Sequence, residues 1–114
     1  MQPIVEKRKR SRYISIAKAS LPEAFTGEAL LKDISIVGCR VECTMQVDIH
    51  ENAEYSITVI PEDTSNIGSF DLLVECKWLH SDNYSCDIGF SIKKSPGKRD
   101  FERYVDYLSW RNKT

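Results

Sequence analysis

Hydrophobic side chains recur at every second position through most of this chain, and that alternation predicts β-strands. From Tyr13 to Ala19, Ile14 and Ile16 alternate with small or polar residues, and a second extended run covers Glu28 to Ile36 and stops at Gly38. The clearest strand follows, with Cys39, Val41, Cys43, Met45 and Val47 on one face and Arg40, Glu42, Thr44 and Gln46 on the other. This is the pattern of a half-buried antiparallel strand. Asp48 to Glu54 is polar and turn-like, and Tyr55, Ile57 and Val59 resume the alternation up to Pro61. After a loop from Glu62 to Gly68, Phe70, Leu72, Val74, Cys76 and Trp78 share a face; after turn-rich His80 to Tyr84, Cys86, Ile88, Phe90 and Ile92 share another.

About six short antiparallel strands fit a closed barrel, which leaves no exposed sheet edge. Ser95, Pro96 and Gly97 end the last strand, and from Lys98 the period changes to 3.6. Phe101, Tyr104, Val105 and Leu108 then form one apolar stripe, which predicts a C-terminal helix over about 98–111 laid on the barrel, a stripe that Trp110 could extend. The expected architecture is mainly β: a six-stranded antiparallel barrel over 13–114 with its helix, preceded by a mobile basic arm over 1–12.

Composition sharpens the picture without changing it. The 114 residues, 41% hydrophobic and 29% charged, suit one globular domain and leave no room for a membrane span. The basic N-terminus is followed by neither an apolar stretch nor a small-residue cleavage site, so a cytoplasmic location is expected. Cys39, Cys43, Cys76 and Cys86 lie in apolar strand segments without a CxxC pair, which marks them as reduced core thiols and not as a disulfide framework or a zinc site. The net charge of −1 hides an asymmetry: Lys7, Arg8, Lys9, Arg10 and Arg12 crowd the first twelve residues against Glu6 alone, while the rest of the chain is acidic. Local positive potential on a short arm points to a small anionic ligand or a docking surface more than to a broad nucleic-acid footprint.

Two polar clusters are not explained by a barrel. Arg8 and Arg12 form an RxxxR pair, and Asp33-Ile34-Ser35-Ile36-Val37-Gly38 reads DxSxxG. Strand alternation sends Ile34 to the core and Asp33 and Ser35 to the outer face. RxxxR followed about twenty residues later by DxSxxG, then strands and a terminal helix, resembles the PilZ domain family over nearly the whole chain. Cys86-Asp87-Ile88-Gly89-Phe90 looks like that family's late strand bearing glycine and phenylalanine, whereas Cys39-Arg40 after Gly38 is less typical. The resemblance implies a receptor for cyclic di-GMP, with Arg8, Arg12, Asp33, Ser35 and Gly38 at the ligand.

The chemistry of these side chains suits that ligand independently. An arginine fork meets the paired O6 and N7 acceptors of guanine, or a phosphate, in bidentate fashion. A carboxylate accepts from the ring N–H and amino group on guanine's other edge and disfavours adenine, Ser35 can donate or accept, and Gly38 permits close backbone approach. Lys7 and Arg10 supply enough further charge for two stacked ligands per protomer, bridging a homodimer, unless they only face solvent. Trp78 could stack on a guanine, but its parity with Val74 and Cys76 places it in the core. His50 and His80 are expected in loops, and no catalytic set has a context, so neither an enzyme, a metal site nor a resident cofactor is expected. The alternatives are a PilZ-like interaction module that binds no nucleotide, a Ser or Asx turn at DxSxxG, a solvated basic tail, and a nucleic-acid binder, which the acidic body disfavours. In the receptor reading the arm orders on binding and signals to a downstream protein partner.

Overall fold

The computed structural model describes residues 11–44, 46–82 and 85–112. Among the described residues, seven strands, β1 (Tyr13–Ile14), β2 (Lys18–Ser20), β3 (Glu28–Ile34), β4 (Gly38–Cys43), β5 (Glu54–Ile60), β6 (Phe70–Ser81) and β7 (Cys86–Lys94), precede one α-helix, α1 (Lys98–Arg111). A 3-10 turn at Asp63–Ser65 links β5 to β6. All pairings are antiparallel, and β3 pairs with both β2 and β4, so the ring β2-β5-β6-β7-β4-β3 closes into a six-stranded barrel with β1 as an extra strand. β1 lies on the same edge of β3 as β2, facing Asp33 and Ile34. Backbone bonds from Ser15 to Lys32 (3.0 Å) and from Leu31 to Ala17 (2.9 Å) continue the ladder between them. The single run expected over 13–19 is thus one interrupted strand.

The inward residues follow the expected alternation through β4, β5 and most of β6 and β7: Cys39, Val41, Cys43, Tyr55, Ile57, Val59, Phe70, Leu72, Val74, Cys76, Cys86, Ile88 and Phe90 are all buried. Burying each large aliphatic or aromatic side chain contributes roughly 1.5–3 kcal/mol. All four cysteines are free and buried. Along 13–19, however, Ile14 and Ile16 point outward, 68% and 57% exposed, and Ser15, Ala17 and Ala19 point in. The reason lies in α1: the fully buried Tyr104 reaches this wall and places its hydroxyl 2.9 Å from Ser15 Oγ, leaving space for small side chains only.

Phe101, Tyr104, Val105 and Leu108 are buried as the helical stripe requires, with Phe70 packed against Phe101 and Tyr104 at ring-centroid distances of 5.9 and 6.0 Å. Trp110 does not extend the stripe. Two residues beyond Leu108 it lies about 200° around the helix, and it is 68% exposed. Two other boundaries differ: β4 ends at Cys43, and β6 runs on to Ser81, so His80 sits on a strand and not in a turn.

Candidate ligand-binding site

Two β-bulges decide which side chains meet on the outer wall. Between Leu31 and Asp33 the β3–β4 register shifts, leaving Lys32 as the extra residue, and between Cys76 and Trp78 the β6–β7 register shifts, leaving Lys77 extra. A bulge reverses the in–out parity beyond it and re-aims the side chains there. Asp33 therefore faces out while both Leu31 and Ile34 face in, and Trp78 turns outward although Val74 and Cys76 are in the core. Residues directly opposite in antiparallel strands share a face. The pairs Ile14 with Asp33, Asp33 with Arg40, Arg40 with Gly89 and Gly89 with Trp78 consequently form one transverse row across β1, β3, β4, β7 and β6.

The core placement expected for Trp78 is thus overturned: it is 42% exposed. Its indole lies against Gly89, where a Cβ would come within 2.1 Å of ring atoms. Only glycine leaves the ring that position, and the isolated Gly89 inside a strand is the one sequence signal of such a close approach, without saying which side chain makes it.

Asp33 is the electrostatic centre of the row. Arg12 Nη1 donates to its Oδ1 at 2.9 Å, and Arg40 Nε lies 3.2 Å from its Oδ2. The second contact is an ion pair without hydrogen-bond alignment, and the buried Arg40 Nε finds no aligned acceptor among the described residues. The Asp33 side chain retains 17% exposure and Arg12 51%, so the group opens to solvent. Beneath it, burial pushes the Cys39 thiol up to about 12; the Asp33 carboxylate adds to that shift and Arg12 opposes it.

Ser35 and Gly38 act on the turn from β3 to β4. β3 ends at Ile34, so strand alternation does not reach Ser35, which is buried and not on the outer face beside Asp33. Its hydroxyl accepts from the N–H groups of Val37 (3.1 Å) and Gly38 (3.2 Å) and donates to the Gly38 carbonyl (3.4 Å). This serine turn ties the ends of the motif together. At Gly38 a Cβ would sit 2.8 Å from the Phe90 carbonyl oxygen, so glycine is required by the close approach of β7, and at 3.3 Å it would also crowd Arg12 Nη2.

Of the residues singled out in the sequence, Arg12, Asp33 and Gly38 are brought together, Ser35 supports them from below, and Lys7, Arg8 and Arg10 lie outside the described residues. The site residue missed was Arg40, because its place beside Asp33 depends on strand register. His50 pairs with Asp48 (3.2 Å) on an exposed loop, away from the row. Among the described residues no group of three His, Cys, Asp or Glu side chains is placed to share a metal ion. A shallow hollow of about 370 Å³, lined by Lys18, Glu28, Leu30 and Glu42, has its charges already compensated by Lys18–Glu28 (3.5 Å) and Lys32–Glu42 (3.4 Å) pairs.

A closed six-stranded antiparallel barrel with an extra strand and a C-terminal helix is a PilZ-like fold. Among solved structures, the chain is similar to the inhibitor of motility MotI/DgrA of Bacillus subtilis, with a TM-score of 0.70 at 12% sequence identity over 93% of this chain and 51% of that one. It spans about half the length of that protein, and the likeness is one of fold. No family model matches the sequence, and no curated protein does.

Proposed function

We propose that this chain is a PilZ-type receptor for cyclic di-GMP that acts by binding and not by catalysis. The observation that carries the reading is the outer row itself: a carboxylate between two guanidinium groups, with an open indole three strands away. Arg12 offers its fork to a phosphate or to guanine O6 and N7, Asp33 accepts from the opposite guanine edge, and Trp78 offers a face for base stacking. Arg8, with Lys7 and Arg10, approaches from the arm. The ligand orders that arm, and the ordered arm is the surface a downstream protein partner reads in the cytoplasm. Lys7 and Arg10 favour two stacked ligands per protomer, bridging a dimer.

Calorimetric titration tests this. Cyclic di-GMP should bind far more tightly than GMP, GTP or cyclic di-AMP, and Arg8→Ala or Arg12→Ala should abolish or severely weaken binding with little change in thermal stability, since an exposed ion pair contributes under about 1 kcal/mol to folding. Equal affinity for the adenine analogue would defeat the guanine-edge argument. Neutralising Lys7 and Arg10 should lower the stoichiometry towards one while binding survives; a parent chain that saturates at one ligand as a monomer rules out the stacked pair. One observation favours a second reading, a PilZ-like module that binds no nucleotide: Asp33 is already engaged on both oxygens by Arg12 and Arg40. Titration without heat or stoichiometric saturation would establish that reading instead. Among the described residues, no helix is long and apolar enough to cross a membrane.

A further inference from the structure

We infer that Arg40 is a positioning residue that holds the Asp33 carboxylate at a fixed angle towards the guanine edge, and thereby sets the preference for guanine over adenine; this rests on the receptor reading above. The two arginines on Asp33 differ in how they are held. Arg12 sits at the root of the arm with half its side chain in solvent, touches only Oδ1, and is itself a ligand contact in the proposed complex. Arg40 rises from the middle of β4, whose backbone is paired to Asp33 of β3 on one side and Gly89 of β7 on the other. Its Nε is buried against Oδ2. When a phosphate or guanine draws on Arg12, the cation that stays on Asp33 is Arg40.

The geometry leaves Asp33 able to do more than neutralise arginines. A carboxylate has about four acceptor positions on its two oxygens. Arg12 and Arg40 engage one oxygen each, and positions on both remain for the ring N–H and amino group of a guanine. Accepting from two parallel donors needs both oxygens in the plane of the base, and a carboxylate free to spin about its Cβ–Cγ bond must lose that freedom on binding. Arg40, contacting Oδ2 from the neighbouring strand, removes the freedom beforehand. Adenine presents no such pair of donors on that edge, so the benefit falls on guanine alone. The hold of Arg40 on Oδ2 is therefore one of charge and proximity at 3.2 Å, from a buried Nε fixed on the middle of a paired strand.

The experiment is a double-mutant cycle on binding, read by calorimetry with cyclic di-GMP and cyclic di-AMP. Arg40→Ala should weaken cyclic di-GMP by roughly tenfold, within the range for contacting residues, and narrow the guanine-to-adenine preference by the same factor. Arg40→Lys, which retains a cation near Oδ2, should recover part of both. In an Asp33→Ala background, Arg40→Ala should cost less than about twofold, because a residue that acts through Asp33 has nothing left to position. Thermal melts of each variant confirm that the folded chain is being titrated, and Arg40→Lys carries the test if Arg40→Ala melts early. An undiminished preference in Arg40→Ala overturns the inference. So does a full tenfold loss in the Asp33→Ala background, which would mean that Arg40 touches the ligand directly. A parent chain indifferent to cyclic di-GMP defeats the receptor reading and this inference together, whereas a parent that binds and an Arg40→Ala variant that matches it defeat this inference alone.

Discussion

Removing one oxygen atom, by Tyr104→Phe, should loosen the joint between the helix and the barrel beside the proposed site. The Tyr104 hydroxyl donates to Glu62 Oε1 at 2.8 Å and, with its own proton so used, accepts from Ser15 Oγ at 2.9 Å. Glu62 Oε2 accepts from Arg111 Nη1 at 2.8 Å, and Arg111 Nη2 donates to the Ile14 carbonyl at 3.2 Å. Helix α1, the 3-10 turn and β1 thus meet at one buried polar knot, two residues along the chain from Arg12. Phenylalanine keeps the ring and its packing against Phe70 but leaves Glu62 short of a donor and Ser15 Oγ short of an acceptor. A hydrogen bond to a charged group is worth about 1.5–3 kcal/mol, and a stranded buried donor adds to the loss, so a cost of about 2–4 kcal/mol is expected. For a chain of this size that is a fall in melting temperature of roughly 8–16 °C. Urea titration should show a lower midpoint with an unchanged slope. Tyr104→Phe and Glu62→Gln together should cost measurably less than the two losses added, because both break the same contact. A loss below about 0.5 kcal/mol, or strict additivity, would refute the shared joint and leave packing alone to hold the helix.

Three further outcomes follow from the same geometry. Burial pushes the thiols of Cys39 and Cys43 up to about 12 and about 11 from an ordinary 9.0, and raises Tyr104 as well. The unfolded chain then gives up protons that the folded chain keeps, so stability present below pH 9 should decline from pH 9 towards 12, by up to about 1.4 kcal/mol per pH unit for each thiol, with Tyr104 adding to the loss only above its ordinary 10.0; Cys43→Ala should flatten urea midpoints between pH 9 and 11, and an identical pH slope would contradict this. Ser35→Ala removes the hydroxyl that closes the β3–β4 turn and should cost about 1–3 kcal/mol in chemical denaturation, with slower-exchanging amides of Val37 and Gly38 becoming fast; unchanged exchange would show that the turn holds itself. Gly89→Ala should displace the Trp78 ring with little loss of stability, since the clashing atoms are the far end of an exposed side chain. In a Trp110→Phe background its fluorescence should red-shift, and under the proposed receptor function cyclic di-GMP affinity should fall about as far as in Trp78→Ala, an effect of about 1–3 kcal/mol; an unmoved indole would disprove that Gly89 seats the ring.

The strand alternation of Cys39 to Cys43, Tyr55 to Val59, Phe70 to Cys76 and Cys86 to Phe90 determined the barrel, because period-2 patterning records which face of each strand is buried. The spacing of Phe101, Tyr104, Val105 and Leu108 determined the helix and its docking stripe by the same logic at period 3.6. The polar clusters drew attention to Arg12 and Asp33 because their side-chain chemistry has no use inside a barrel, and to Gly38 because it closes the DxSxxG pattern. Parity, however, is read by counting along the chain, and one inserted residue reverses it. The bulges at Lys32 and Lys77 arise only when two strands of different local length are laid in register, so the outward turn of Trp78 was settled by the β6–β7 pairing and not by its own strand. The reversed facing of Ile14 and Ile16 has a similar origin, since the space on the inner side was already claimed by Tyr104, 89 residues further on. Arg40 was equally unreadable. Its contact with Asp33 joins two positions seven apart on neighbouring strands, and only register, a property of paired backbones, puts a cation opposite that carboxylate.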